Sequence, residues 1–272
     1  MATQPLTASV DRGAVKAFGL AVPIAILGGL IGLGGAEFRL PVLAGPLGYS
    51  VRQAVPLNLS VSIITILASL AIRSRSLSFA PVAPFTPAVL ALIAGAVVAA
   101  IAGTALFGRL SEARLERTIF VLLLVIGLTL IVEGFLPVTE RALLPHDETV
   151  WIVAGVLFGL GIGLISSLLG VAGGEVIIPT LVFAYGADIK TAGTASLLIS
   201  LPTVAVGIAR YARRGAYDRS ALAATVVPMG LGSVIGAVIG GLLVGAVPAA
   251  VLKVGLGVIL LVSAWRTFRQ TK

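Results

Sequence analysis

The chain has 272 residues, of which 58% are hydrophobic and 11% charged, with a mean hydropathy of +1.12 and a formal net charge of +8. Soluble domains carry charge on about a quarter of their residues, so this composition excludes an ordinary soluble domain and indicates an integral membrane protein. With no cysteine, disulfides, iron–sulfur clusters and thiol chemistry are excluded.

After polar residues 1–13, which do not resemble a cleavable signal peptide, Ala14 to Leu33 reads as a first spanning helix that ends in a glycine-rich break. The apolar runs here and below are continuous and close to about 20 residues, unlike the alternating segments of about ten residues in barrel strands. Glu37 to Leu47 is apolar but short. At about 1.5 Å per residue it crosses roughly half of a hydrocarbon core about 30 Å thick. Ala54 to Ile72 is a second span, and Arg73-Ser74-Arg75-Ser76 marks an aqueous loop. Further spans are expected at Pro87 to Phe107 and Thr118 to Leu136, around a charge-alternating turn at Arg109 to Arg117. Pro137 to Glu148 is the only polar connector of any length. Beyond it the plan repeats: span Val150 to Leu169, a second break, half-helix Glu175 to Tyr185, span Thr191 to Ala209, basic loop Arg210 to Arg219, then spans Ala221 to Gly245 and Ala249 to Thr267.

The expected fold is therefore all-α and polytopic: two tandem repeats of about four spans, residues 14–136 and 150–272, each with one Gly/Pro-broken half-helix, joined by connector 137–149. Eight full spans place the larger share of the 19 Lys and Arg on the side of the termini, which predicts both termini cytoplasmic. Ten crossings with inverted halves would give the same sidedness, so charge does not separate parallel from inverted repeats; half-helix length favours eight.

The repeat is densest at the breaks. Shifted by 138 positions, Gly32 falls on Gly170, Gly35 on Gly173, Glu37 on Glu175, Pro41 on Pro179 and Leu43 on Leu181. Gly48, Ala54, Leu59 and Ser62 likewise fall on Gly186, Ala192, Leu197 and Ser200, the mark of an internal duplication. Apolar segments interrupted by Gly and Pro at matching places in two halves point to a transporter binding site. A helix that begins inside the membrane exposes unpartnered N–H groups carrying roughly half a positive charge, so two of them suit a small oxyanion without any lysine.

The residues expected at such a site are Gly34, Gly35 and Ala36 with Asn58 and Ser62 from the first half, and Gly173 and Gly174 with Thr194, Ser196 and Ser200 from the second; Gly32, Pro41, Gly170 and Pro179 make the breaks. Ser60, Thr65 and Thr203 share the same helices, and any of these hydroxyls has the alternative of bonding a carbonyl one turn back. Glu37 and Glu175 are carboxylates inside membrane segments, where acids are costly and usually functional. They either cap their half-helices or couple protons. An ionised acid would repel an anion, so it must be protonated when the anion binds or face away. Arg39 has no basic match at Ile177; it is expected to snorkel to the interface, with pairing to Glu37 or contact with the anion as alternatives.

The doubled G-x-G-G-x-x-x-x-x-P-x-L pattern, the eight expected spans and the tandem halves resemble the sulfite exporter TauE/SafE family of membrane permeases across essentially the whole chain. The chain departs from the family's usual third glycine at Ala36 and carries Ala172 in the second copy. The resemblance implies ATP-independent movement of small sulfur-containing or organic anions such as sulfite, sulfonates or sulfoacetate-like compounds, without choosing among them, and an expected place in the bacterial inner membrane.

Other signals carry less. Gly159-Leu160-Gly161-Ile162-Gly163 lies inside an apolar span with no strand before it, so it is not a dinucleotide loop. There is no phosphate-binding G-x-x-x-x-G-K-[ST] pattern, and the single histidine, His146, lies in the connector, which argues against an enzyme or a metal site. Trp151 and Trp265 read as interface anchors. The expectation is a secondary anion transporter with no cofactor, whose partners are its substrate and the lipid bilayer and not nucleic acid, with self-association left open. A passive channel and a non-transporting scaffold remain as alternatives.

Overall fold

In the computed structural model the described residues are 6–109, 111–135 and 142–243, together with 247, 248, 250, 251, 254, 257, 258, 261, 262 and 265. They form helices joined by short turns, with no strand among them. Helix α1 is Leu6–Ile31, α2 Ala36–Ala44, α3 Val51–Ser76, α4 Thr86–Arg109, α5 Glu112–Phe135, α6 Glu148–Leu169, α7 Gly174–Pro179, α8 Ile189–Arg213, α9 Arg219–Ala221 and α10 Val227–Leu243. A 3-10 segment, Ala80–Phe85, precedes α4, and π-helical turns at Thr180–Ala184 and Leu222–Val226 extend α7 and join α9 to α10.

Among the described residues six helical stretches are long and apolar enough to cross a membrane: Gly13–Ile31, Val51–Arg75, Ala80–Ala105, Glu148–Leu168, Ile189–Arg213 and Arg219–Leu243. Helix α5 occupies the place expected for the fourth span. The expected eighth span lies largely outside the described residues, and Leu136 of the expected fourth span and residues 137–141 of the connector lie wholly outside them.

Several boundaries differ from the sequence reading. Helix α1 starts at Leu6, inside the stretch read as a polar tail. Helix α3 does not stop at Ile72 but runs through the stretch read as an aqueous loop to Ser76. Arg210 and Arg213 likewise belong to the last turn of α8, where basic side chains favour the negative end of the helix dipole. Helix starts follow local chemistry: Asp147 accepts the Val150 N–H at 2.9 Å, and Asp188 accepts those of Lys190 and Thr191 at 3.0 and 3.1 Å.

The two most extensive helix pairings, α4 with α6 and α1 with α10, both join the first half of the sequence to the second. Glycine permits them, because small residues let backbones approach closely. A Cβ on Gly232 would lie 2.6 Å from the Phe18 carbonyl oxygen of α1, and one on Gly95 of α4 would run into the carbonyl of Val156, the residue 138 positions after Phe18.

Trp151 is a correction to its reading as an interface anchor. It is buried, stacked on Phe85 at 5.7 Å and met edge-on by Tyr185 at 5.4 Å, while Tyr185 Oη donates to the Trp151 carbonyl at 3.1 Å. The aromatic faces find better partners in Phe85 and Tyr185 than in lipid headgroups. The exposed His146 ring lies 5.6 Å from the same indole. Trp265 is exposed.

Candidate functional site

The two breaks are built alike. Helix α1 ends at Ile31, and the N–H groups of Gly32 and Leu33 both close onto the Gly28 carbonyl, at 2.9 and 3.0 Å. In the second copy the N–H groups of Gly170 and Val171 both close onto Ser166, a left-handed glycine cap of the usual kind. A left-handed glycine also starts each half-helix, Gly35 (φ 70°) before α2 and Gly173 (φ 83°) before α7, neither with a side-chain cap; the first break has one more, Gly34 (φ 81°), where the second has Ala172. Pro41 lies within α2, and Pro179 ends α7 and opens the π-helical turn that continues it.

The breaks meet at the centre. A Cβ on Gly34 would sit 3.7 Å from the Cβ of Ala172, its counterpart in the other half, and one on Gly174 would sit 3.1 Å from Leu33 Cα. Each break also leans on the following long helix of the other half. A Cβ on Gly32 would lie 2.5 Å from the Gly193 carbonyl oxygen, and one on Gly170 would lie 2.5 Å from that of Val55, the residue 138 before Gly193.

Arg39 does not snorkel. It is wholly buried, and its guanidinium donates from Nε to Asn58 Oδ1 at 3.2 Å, from Nη1 to the Gly34 carbonyl at 3.0 Å and Thr65 Oγ1 at 3.1 Å, and from Nη2 to Ser62 Oγ at 2.8 Å. A buried guanidinium needs hydrogen-bond partners, and polar groups of α3 and of the break supply them. Asn58 Nδ2 in turn donates to the carbonyls of Ala36 at 2.7 Å and Gly170 at 2.9 Å, binding the two halves. Ser62 and Thr65 also back-bond to Asn58 and Val61.

The second half replaces this guanidinium cage with something simpler. Ile177 stands where Arg39 would be, Ser200 Oγ donates to the Ala172 carbonyl at 2.7 Å in the role Arg39 plays for Gly34, and Thr203 back-bonds to Ile199. Ser196, the counterpart of Asn58, is fully buried with no partner for its hydroxyl among the described residues. It lies against Gly174, whose Cβ would come within 2.9 Å of Ser196 Oγ.

Thr194 lies apart from this cluster. It back-bonds to Lys190 and receives Arg73 Nη1 at 3.0 Å, and Arg73 Nη2 reaches the carbonyls of Gly29 and Leu30 at 3.3 and 3.4 Å. Arg73 is therefore a buried tether between α1, α3 and α8, and not a loop residue. Its counterpart Tyr211 does the same work without charge, donating to Ser167, the counterpart of Gly29, at 2.9 Å. Sequence reasoning missed both tethers; the signal available was that Arg73 and Tyr211 occupy equivalent positions of the two repeats.

Glu37 and Glu175 are 0% and 2% exposed, and all four carboxyl oxygens lack a hydrogen-bond partner among the described residues. The Glu37 carboxyl interacts electrostatically with that of Glu175 and, more weakly, with Arg39. Around the two half-helix starts there are thus two buried acids, a hydroxyl without a partner among the described residues and a caged guanidinium.

No curated protein and no solved structure matches the chain. The family model described as sulfite exporter TauE/SafE matches residues 17–267, a stretch that includes both breaks, both half-helices and every residue named at the centre. With nearly its whole length matched and its helices long and apolar enough to cross a membrane repeatedly, this multi-pass chain belongs to the sulfite exporter TauE/SafE family of membrane transporters.

Proposed function

We propose that the chain is a secondary transporter of small anions, with sulfur oxyanions and organosulfonates such as sulfite or sulfoacetate-like compounds as the substrate class. The observation that carries this is the meeting of two half-helix starts, at Gly35 and Gly173, in a buried centre. Aligned N–H groups there offer an anion hydrogen bonds and a favourable dipole without an exposed cation. Gly34, Gly35, Ala36, Gly173 and Gly174 supply the backbone of this site, and Ser196 supplies a hydroxyl that has no partner among the described residues. Asn58, Ser62 and Ser200 hold the breaks in shape and border it, while Thr194 supports it through Arg73.

Glu37 and Glu175 couple protons to the anion. A carboxylate facing the site opposes anion binding until it is neutralised, so a proton gradient can drive the substrate. The two tandem repeats, interlocked through α1 with α10 and α4 with α6, rock against each other to open the site to either side. We place the protein in the bacterial inner membrane with both termini cytoplasmic, acting as a carrier and not as an enzyme.

Anion-dependent thermal stabilisation of the detergent-solubilised protein tests the site, using sulfite, thiosulfate, sulfate, organosulfonates and small carboxylates at two pH values. The expected result is a selective shift for sulfur anions, larger at the lower pH, with that pH dependence diminished in Glu37→Gln and Glu175→Gln. Stabilisation by none of the anions would refute the site.

A further inference from the structure

We propose that the two halves are inverted relative to each other in the membrane, and that Arg73 and Tyr211 are latches that close the centre from opposite faces. The inversion stands on the packing alone; the latch role deepens the transport reading above and rests on it.

The directions of the helices follow from which residues meet. The equivalent helices α3 and α8 pass each other antiparallel. A Cβ on Gly207 would meet the Leu59 side chain at 3.3 Å, and Arg73 reaches Thr194 at 3.0 Å, so positions rise along one helix as they fall along the other. Both helices are long and apolar enough to cross a membrane, over Val51–Arg75 and Ile189–Arg213. Two copies of one spanning helix that cross in opposite senses belong to repeats of opposite orientation.

Helix α10 makes the same point independently. Under the shift of 138 positions it is the counterpart of α4. Helix α4 must run opposite to α3, because only residues 77–85 join them. Six of these are 3-10 helical and advance about 2.0 Å each, so the connection is too short to recross a core of about 30 Å. Parallel repeats would therefore set α10 against α3 as well. Instead α10 runs with α3, since Gly230 packs on Ile64 and Gly241 on Ile72. It also runs with α1, where Gly232, Gly236 and Gly240 meet the carbonyls of Phe18, Val22 and Ile26 in turn. With α1 and α3 rising together, α2 and residues 45–50 return the chain between them. Each half-helix is then the returning leg of a crossing, as the ten-crossing plan requires.

Inversion puts the two tethers on opposite sides of the breaks. Ser62 and Ser200 mark the level of the breaks through their bonds with Arg39 and the Ala172 carbonyl. Arg73 and Tyr211 each lie eleven residues further along, about 16 Å of helix, and on antiparallel helices these are opposite directions. At one end Arg73 ties α3 to Thr194 of α8 and to the Gly29 and Leu30 carbonyls of α1; at the other Tyr211 ties α8 to the Ser167 carbonyl of α6. Both are closed in this structure, and Ser200, on α8 between Thr194 and Tyr211, is buried. An anion passes when one latch opens while the other holds. Because α3 runs with α1, the Arg73 latch faces away from the N-terminus and the Tyr211 latch faces toward it.

Thiol labelling gives the test, because the chain has no cysteine and an introduced one is its only thiol. Ser74 and Ala212 are exposed equivalents in the last turns of α3 and α8. A membrane-impermeant maleimide is expected to label Ser74→Cys in spheroplasts and Ala212→Cys in inverted membrane vesicles, each from that face alone. Labelling of both from one face overturns the inversion and the latches with it. Ser200→Cys then reports on the centre. Arg73→Met should raise its labelling from the Ser74 face only, and Tyr211→Phe from the Ala212 face only. Thr194→Val weakens the first latch while keeping the guanidinium, and should act in the same sense as Arg73→Met. No gain in labelling from any of these variants, or gains from one face alone, overturns the latch role. None of these readouts needs a substrate, so a protein that moves no anion would refute transport and leave the helix directions standing.

Discussion

Replacing Gly32 by alanine separates two demands that the break makes on its glycines. Gly32 has φ 89°, and a Cβ there would lie 2.5 Å from the Gly193 carbonyl oxygen and 2.9 Å from Gly193 Cα, both backbone atoms that cannot rotate away. A left-handed conformation costs an L-residue about 1–2 kcal/mol, and forcing extra volume into packed backbone adds about 1–3 kcal/mol. The total is about 2–5 kcal/mol, or roughly 4–20 °C in the unfolding midpoint at about 2–4 °C per kcal/mol for a chain of this size. Gly34 is also left-handed, at φ 81°, but its Cβ would meet only side-chain atoms, at 3.6 and 3.7 Å. Alanine there carries the conformational term alone, about 2–8 °C. Gly215 has φ 65° with nothing within 4 Å, and its alanine variant calibrates that term in a turn. Fluorescence-detected size-exclusion chromatography of heated, solubilised protein ranks the three. Gly32→Ala losing no more than Gly215→Ala would refute the close approach of the first break to α8, and with it the joining of the halves at the centre.

Arg39→Met strips the donors from the Gly34 carbonyl and from Asn58 Oδ1, while Ser62 and Thr65 keep their backbone partners. At about 1–3 kcal/mol for each buried acceptor left unpaired, the same assay should show a loss of about 2–6 kcal/mol, and a change under about 1 kcal/mol would contradict the cage. Asp188 caps α8: burial pushes its carboxyl up, but the Thr191 side chain and the N–H groups of Thr191 and Lys190 outweigh it and hold it below its ordinary value of 3.8. Its contribution is thus complete above that value and is lost as pH falls through the lowered one. Asp188→Ala should cost about 0.5–2 kcal/mol at pH 7, with the gap to wild type closing below about pH 4; a gap independent of pH would refute the charged cap. Tyr49 Oη and Thr225 Oγ1, 2.6 Å apart, pin the chain after α2 to the π turn before α10. A double-mutant cycle of Tyr49→Phe and Thr225→Val should give a coupling of about 0.5–1.5 kcal/mol, and a coupling near zero would show the contact to be idle.

What the sequence made legible was periodic or punctuated. The doubled break stood out because a glycine cluster, an acid and a proline recur at the same spacing in both halves, and the lengths of the half-helices followed from where polar residues resume. What it hid was partnership across distance. That Arg39 is solvated by α3 cannot be read from residue 39, since its partners lie 19 to 26 positions away on another helix. Arg73 looked like loop charge because Arg75 and two serines surround it, yet only one face of that turn is inward, and Arg73 is on it. Trp151 sits at a helix start, where an interface anchor belongs, and only the nearness of Phe85 and Tyr185 turns it inward. The pairing of α1 with α10 and α4 with α6 leaves no trace in periodicity, because a glycine face reads the same whichever helix it meets.

The most direct test of the transport claim is flux. Purified protein in proteoliposomes, loaded with or bathed in labelled sulfite or organosulfonate, should show saturable anion movement that an imposed proton gradient accelerates and that Glu37→Gln with Glu175→Gln uncouples from the gradient. Anion movement that never saturates and ignores the proton gradient would instead identify a passive pore, and no flux of any small sulfur anion above empty liposomes would contradict the account.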